Sequence, residues 1–194
     1  MKRACIVIMI MALIGCLGCN TENENHSQNT PARFRDLKGF FSAEIIRLQQ
    51  SGLQLHKTAR LGSEEDSMII LKQDSATLQD LLKPFIDADI NKPSLWDAYD
   101  TVHLTDQFKG SQSVVYTAKD PQVNPRQIML DLDKTGQIQT VNIHSYSRNL
   151  IYESRQDLFY QYNKTINITT FQKIAFLAPK EMDVKVRLEP KNPL

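Results

Sequence analysis

Residues 126–147 read RQIMLDLDKTGQIQTVNIHSYS, and the pattern in them decides the fold. Ile128, Leu130 and Leu132 alternate with other residues, the spacing of a strand whose one face is buried. Asp133-Lys134-Thr135-Gly136 then reads as a hairpin turn, with Gly136 supplying the positive φ such turns need. A second candidate strand follows at 137–147. Two strands joined this closely are antiparallel, because a parallel crossover needs a dozen or more residues.

Working outward, the same punctuation continues on both sides. Candidate strands are 101–106, 112–119, 149–162, 165–177 and 182–189, separated by Lys109-Gly110, Asp120-Pro121 and Asn163-Lys164. Ile166/Ile168/Ile174/Phe176 and Met182/Val184/Val186/Leu188 keep a period of two. Several strands at short spacing, with no helix between them, predict an antiparallel meander.

Upstream the period changes. Phe34, Leu37, Phe41, Ile45 and Leu48 recur every three or four residues, so the spacing predicts an amphipathic helix over 35–51 with Gly52 as its C-cap. Its mixed charges favour packing on a core over lying on a membrane. Leu53 to Leu61 alternate, and Met68 to Leu71 follow Gly62–Asp66, which predicts a hairpin. Ser75 is expected to cap a second helix holding Leu78, Leu81, Leu82, Phe85 and Ile86, bent or ended by Pro84. Trp96 and Tyr99 fall in a short irregular or helical piece. The fold class expected is α+β: the N-terminal amphipathic helix and a second helix packed on a largely antiparallel β-meander, an open or half-barrel-like sheet. Residues 34–194 form its single domain.

The chain has 194 residues, 41% of them hydrophobic and 23% charged, which suits one globular domain. Lys+Arg 23 against Asp+Glu 22 leaves a net charge of +1, so no basic field exists to hold nucleic acid. Cys5, Cys16 and Cys19 are the only cysteines. A disulfide framework, a Cys-rich metal site and a thiol nucleophile are thereby excluded from the body.

Met1-Lys2-Arg3 followed by the apolar run Ala4–Leu17 has the form of a signal peptide. As a helix that run would cover about 21 Å, short of a ~30 Å hydrocarbon core. Leu13-Ile14-Gly15-Cys16 resembles the lipobox of bacterial lipoprotein precursors: a branched apolar residue, a tolerant position, a small residue and cysteine. The resemblance covers about twenty residues and implies removal of residues up to 18 at most, by cleavage before Cys16 or Cys19, with lipidation of the new N-terminal cysteine. Leu13 favours Cys16, whereas cleavage before Cys19 removes every apolar residue and leaves Asn20-Thr21-Glu22 beside the lipid. Two or three acyl chains would hold the protein on a membrane. Neither Leu17 nor Asn20 is the aspartate associated with inner-membrane retention, so the resemblance implies the outer membrane of a bacterial envelope. Residues 19–33 contain no large apolar side chain and read as a disordered tether.

Sequence motifs for chemistry are sparse. Asp131, Asp133 and Thr135, with Gly136 and Ile138, fit part of a calcium-loop pattern, but position twelve is Asn142 and no helices flank it, so the turn is the expected reading. His56, His103 and His144 lack metal-ligand spacing. No nucleophile elbow or phosphate-cradling loop occurs, and no metal or other cofactor is expected. Tyr146, Tyr152, Phe159, Tyr160, Tyr162, Phe171 and Phe176 are expected to pack in the core or pair across strands. The functional expectation is a lipid-anchored envelope lipoprotein with a non-enzymatic binding or assembly domain, whose partners are the membrane and an apolar ligand or envelope protein. The alternative is an envelope hydrolase with catalytic residues on loops.

Overall fold

The computed structural model describes residues 33–70, 75–108 and 110–190. Two helices, α1 (Leu37–Gln50) and α2 (Ser75–Asp87), lie on one face of a nine-stranded sheet. The strands are β1 (Leu53–Leu61), β2 (Glu64–Ile70), β3 (Tyr99–Thr105), β4 (Gln112–Ala118), β5 (Gln127–Leu132), β6 (Ile138–Arg148), β7 (Tyr152–Gln161), β8 (Thr165–Ile174) and β9 (Lys180–Pro190). Their order is β2-β1-β9-β8-β7-β6-β5-β4-β3, and every pairing is antiparallel. The sheet is open, with β2 and β3 as its edges. The α+β class and the antiparallel meander are as the sequence predicts.

The pairing of β1 with β9 extends the meander. Leu55 lies opposite Leu188 and Lys57 opposite Val186, so the N-terminal hairpin continues the sheet built by β3–β9. A bulge between Asp131 and Leu132 gives β6 an extra residue beside its turn.

Helix α1 forms where Asp36 caps it: the carboxylate accepts from Gly39 N at 2.7 Å. A Cβ on Gly39 would meet Asp36 Oδ2 at 2.2 Å, so any other residue there would make the capping carboxylate shift. Leu37, Phe41, Ile45 and Leu48 form its buried stripe, opposite Leu78, Leu81, Leu82 and Phe85 of α2. Phe41 meets Phe85 at 4.8 Å and Tyr160 at 5.3 Å between ring centroids. Each such fully buried side chain stabilises the fold by about 1.5–3 kcal/mol relative to exposure.

Several local details differ from expectation. The cap that ends α1 is Ser51 in extended conformation, its N–H donating to Leu48 O, so Gly52 is not the C-cap. Helix α2 runs through Pro84 to Asp87 and so holds Phe85 and Ile86 as expected; of the two effects expected of Pro84, ending the helix does not occur. The hairpin β1–β2 turns more tightly than Gly62–Asp66 suggests, because Glu64, Glu65 and Asp66 pair with Leu61, Arg60 and Ala59. Strand β8 stops at Ile174, and Phe176 lies in the following turn with φ +67°. The first buried side chain among the described residues is Phe34, which packs edge-on against Tyr99 and Tyr116. Asn91 clips this entry: its Oδ1 accepts from Phe34 N, and its Nδ2 donates to Phe34 O and Arg35 O. Residues 1–18, read above as a signal peptide, Cys16 and Cys19, and residues 19–32 of the expected tether lie outside the described residues.

Candidate functional site

Strand alternation sorts the polar residues of the sheet onto its helix-free face, and pairing register sets them in rows. Arg60, Asp183, Thr169, Asp157 and His144 stand in one row across β1, β9, β8, β7 and β6. Arg60 Nη2 donates to Asp183 Oδ2, and the Thr169 side chain also bonds Asp183. These donors, Arg60 foremost, hold the Asp183 carboxyl below the usual carboxylate range. A groove of about 400 Å³ lies over this end of the row, lined by Thr58, Glu65, Asn167 and Lys185 besides Arg60, Asp183 and Thr169. Cations, carboxylates, hydroxyls and an amide meet there, which suits a polar ligand that both donates and accepts hydrogen bonds.

Further along the row, His144 Nδ1 lies 2.6 Å from Asp157 Oδ1, and Arg155 Nε is 3.5 Å from Asp157 Oδ2. This is the geometry of a base with its orienting carboxylate. Both side chains are nearly half exposed, and the register neighbours of His144 are Asp157 and Gln127, neither of them a nucleophile.

Among the described residues, the other histidines do not converge with it. His56 on β1 faces Glu189 at 3.6 Å, and His103 sits on the edge strand β3. Asp131 accepts from Ser113 Oγ at 2.7 Å across the strands. Asp133 closes the turn: its Oδ1 accepts from Thr135 N, Thr135 Oγ1 and Gln137 N, and its Oδ2 from Gln139 Nε2. Those bonds pull the Asp133 carboxyl below its ordinary range, with Thr135 the main cause. Gly136 has φ +80°, as a hairpin turn requires. Asp131 and Asp133 thus serve different neighbours, and among the described residues no group of three or more His, Cys, Asp or Glu could hold a metal ion.

The inner face carries a site that sequence patterning does not show. Glu44 on α1 is 3% exposed among apolar neighbours. Arg47 Nε and Nη2 donate to its two oxygens at 2.6 Å each, and Tyr160 Oη donates to Oε1 at 2.5 Å. The Arg47 guanidinium also lies 4.5 Å from the Tyr162 ring centroid. Burial, with the Glu44 charge beside it, pushes the Tyr160 hydroxyl far up, so it stays a donor. The only sequence signal is the Glu44/Arg47 spacing of three on a helix. With every carboxylate oxygen engaged, the cluster specifies how α1 docks on β7.

A depression of about 480 Å³ between the helices is lined by Ile45, Ile46 and Ile86 but equally by Ser42, Gln79 and Lys83. The two sheet edges contrast. Both edges expose apolar side chains, Met68 and Ile69 on β2 and Val102 and Leu104 on β3, but β2 opens with Glu64-Glu65-Asp66, charges that discourage pairing, whereas β3 has a single carboxylate, Asp100, beside its unpaired backbone. Among the described residues no helix is long and apolar enough to cross a membrane.

Compared with known protein families, curated proteins and solved structures, the chain matches none.

Proposed function

We propose that this chain is a lipid-anchored protein of the bacterial envelope whose folded body is a non-enzymatic binding or assembly module. The observation that carries the binding part is the open edge β3, seven residues long, with unpaired backbone groups and exposed Val102 and Leu104. Such an edge accepts an extended segment of another envelope protein by strand addition. The groove at Arg60 and Asp183 supports a polar ligand for the same body, where sequence reading favours an apolar one. The anchor rests on Leu13-Ile14-Gly15-Cys16 and Cys19. Radiolabelled palmitate should enter the wild-type chain and be lost from Cys16→Ser/Cys19→Ser; labelling that persists in the double variant refutes the anchor. A photocrosslinker at His103 should trap one discrete partner in intact cells, and Thr101→Pro, which removes an N–H that faces away from β4, should abolish that product. If crosslinking is diffuse, or indifferent to the proline, the edge is not the docking site.

The hydrolase reading keeps one support, the 2.6 Å His144–Asp157 pair. It requires that envelope-type ester or glycoside substrates be cleaved by the purified chain and that His144→Ala stop the cleavage.

A further inference from the structure

The turns β6–β7 and β8–β9 lie side by side at one end of the sheet, where Ala175 N donates to Ile151 O at 2.8 Å and ties them together. Both carry large apolar side chains wholly in water: Leu150 is 101% and Phe176 104% exposed, with Ile151, Leu177 and Ile174 also exposed beside them. The tips have defined shapes. Asn149 Oδ1 accepts from Ile151 N at 3.0 Å and Tyr152 N at 2.8 Å, and Leu177 N donates to Ile174 O at 3.0 Å. Phe176 also takes φ +67°, a conformation that a bulky side chain rarely adopts. Two independent turns therefore spend local geometry on presenting Leu and Phe outward.

Charge distribution points to what covers them. The run 174–179, IAFLAP, carries no charge and is bracketed by Lys173 and Lys180; Leu150 and Ile151 follow Arg148. Around the tips Arg148, Lys173 and Lys180 face Glu153 and Glu181, with Glu153 shared in register between Arg148 and Lys173, while Arg155 is paired with Asp157. An uncharged apolar tip with a cationic collar matches the layering of a lipid surface: acyl chains below, anionic headgroups above. A side chain projecting with its whole surface free also suits a deformable medium, which needs no complementary pocket.

We propose that the paired tips at Leu150 and Phe176 dip into an anionic lipid surface, giving the folded body a membrane contact of its own, independent of any acyl chain. Each collar cation contributes about fivefold to association with anionic lipid.

The test uses the full chain with Cys5→Ser/Cys16→Ser/Cys19→Ser, which removes every native thiol and every acylation site. An environment-sensitive fluorophore is placed singly by Leu150→Cys, by Phe176→Cys, or by Gln127→Cys on β5 as a reference. Vesicles contain phosphatidylcholine and phosphatidylglycerol at three to one. The tip labels should shift to the blue and be quenched by brominated acyl chains, while the reference stays aqueous. Adding Lys173→Gln/Lys180→Gln should lower vesicle association of the tip-labelled chain by roughly 25-fold, fivefold for each cation. Tip labels that remain in water overturn the proposal, even where the chain floats with the vesicles through another segment. Tips that leave water only on contact with a purified envelope protein overturn it too. Emission of the single tryptophan, Trp96, checks that each variant is folded. Failure of palmitate to label the wild-type chain would refute the anchor and leave this result untouched.

Discussion

Glu44 and Phe176 are each in surroundings that ordinarily exclude their kind, a carboxylate in the core and a phenylalanine in water. The difference lies in what surrounds them. Glu44 has Arg47 on both oxygens and Tyr160 on one, so its burial is fully compensated within the fold. Phe176 projects from its turn, its side chain wholly exposed. A buried charge with all its bonds made speaks of architecture; an exposed apolar tip shaped by its own turn speaks of something outside the chain.

The largest effect is expected in the core. Arg47→Met should cost about 3–5 kcal/mol, because it strands a buried carboxylate. Adding Glu44→Gln should recover a large part of that loss, since a neutral amide leaves no buried charge uncompensated. Urea unfolding followed by Trp96 emission measures both; if the double variant is no more stable than Arg47→Met, the cluster is not a coupled unit. Next in size, Gly136→Ala should cost about 1–2 kcal/mol from φ alone. A Cβ there would have room, its nearest neighbour being Arg35 Nη2 at 3.8 Å.

A smaller effect, of opposite sign, is expected at Asp89. This buried carboxyl accepts from Asn91 Nδ2 at 3.3 Å, and burial raises it above the ordinary range. A carboxyl raised in the folded state binds its proton more tightly there than in the unfolded chain. Stability therefore falls as pH rises from the unfolded-state value through the folded one, and stays lower above it. Asp89→Asn should accordingly be more stable than wild type at pH 7, with the advantage vanishing near pH 3. An advantage that did not change with pH would mean packing, not ionisation, causes it. The smallest effect should be at the tips: Leu150→Ser and Phe176→Ser should stay within about 0.5 kcal/mol of wild type, as exposed substitutions do.

Sequence periodicity made the strands and both helices legible, because each buries one face and the apolar spacing reports it. Partnership is another matter. The β1–β9 pairing joins residues more than a hundred positions apart, as in Arg60 with Asp183, and no local period carries that information. Glu44 reads as part of the solvated helix face because Tyr160, its partner, is 116 residues away. Phe176 was hidden for a different reason: it keeps the parity of Ile166, Ile168 and Ile174, so the alternation runs past the true end of β8. Of the seven late aromatics expected to pack or pair, Tyr160 is fully buried and packs on Phe41, while Phe159 faces Asn142 and Asn167, and Phe171 faces Arg155 and Glu181. The row of Arg60, Asp183, Thr169, Asp157 and His144 exists only once register is known.

The most direct test of this division compares Arg47→Met with Leu150→Ser/Phe176→Ser in the thiol-free full chain, measuring urea stability and anionic-vesicle association on the same samples. A fluorophore on a single Gln172→Cys, beside the β8–β9 turn, reads the association. The core variant, at temperatures where it remains folded, should lose stability yet bring its tips to the vesicle as wild type does. The tip variant should keep its stability and lose association about a hundredfold, near tenfold for each apolar side chain withdrawn from lipid. If the tip variant unfolds at lower urea and associates unchanged, Leu150 and Phe176 are parts of the fold and the account is wrong.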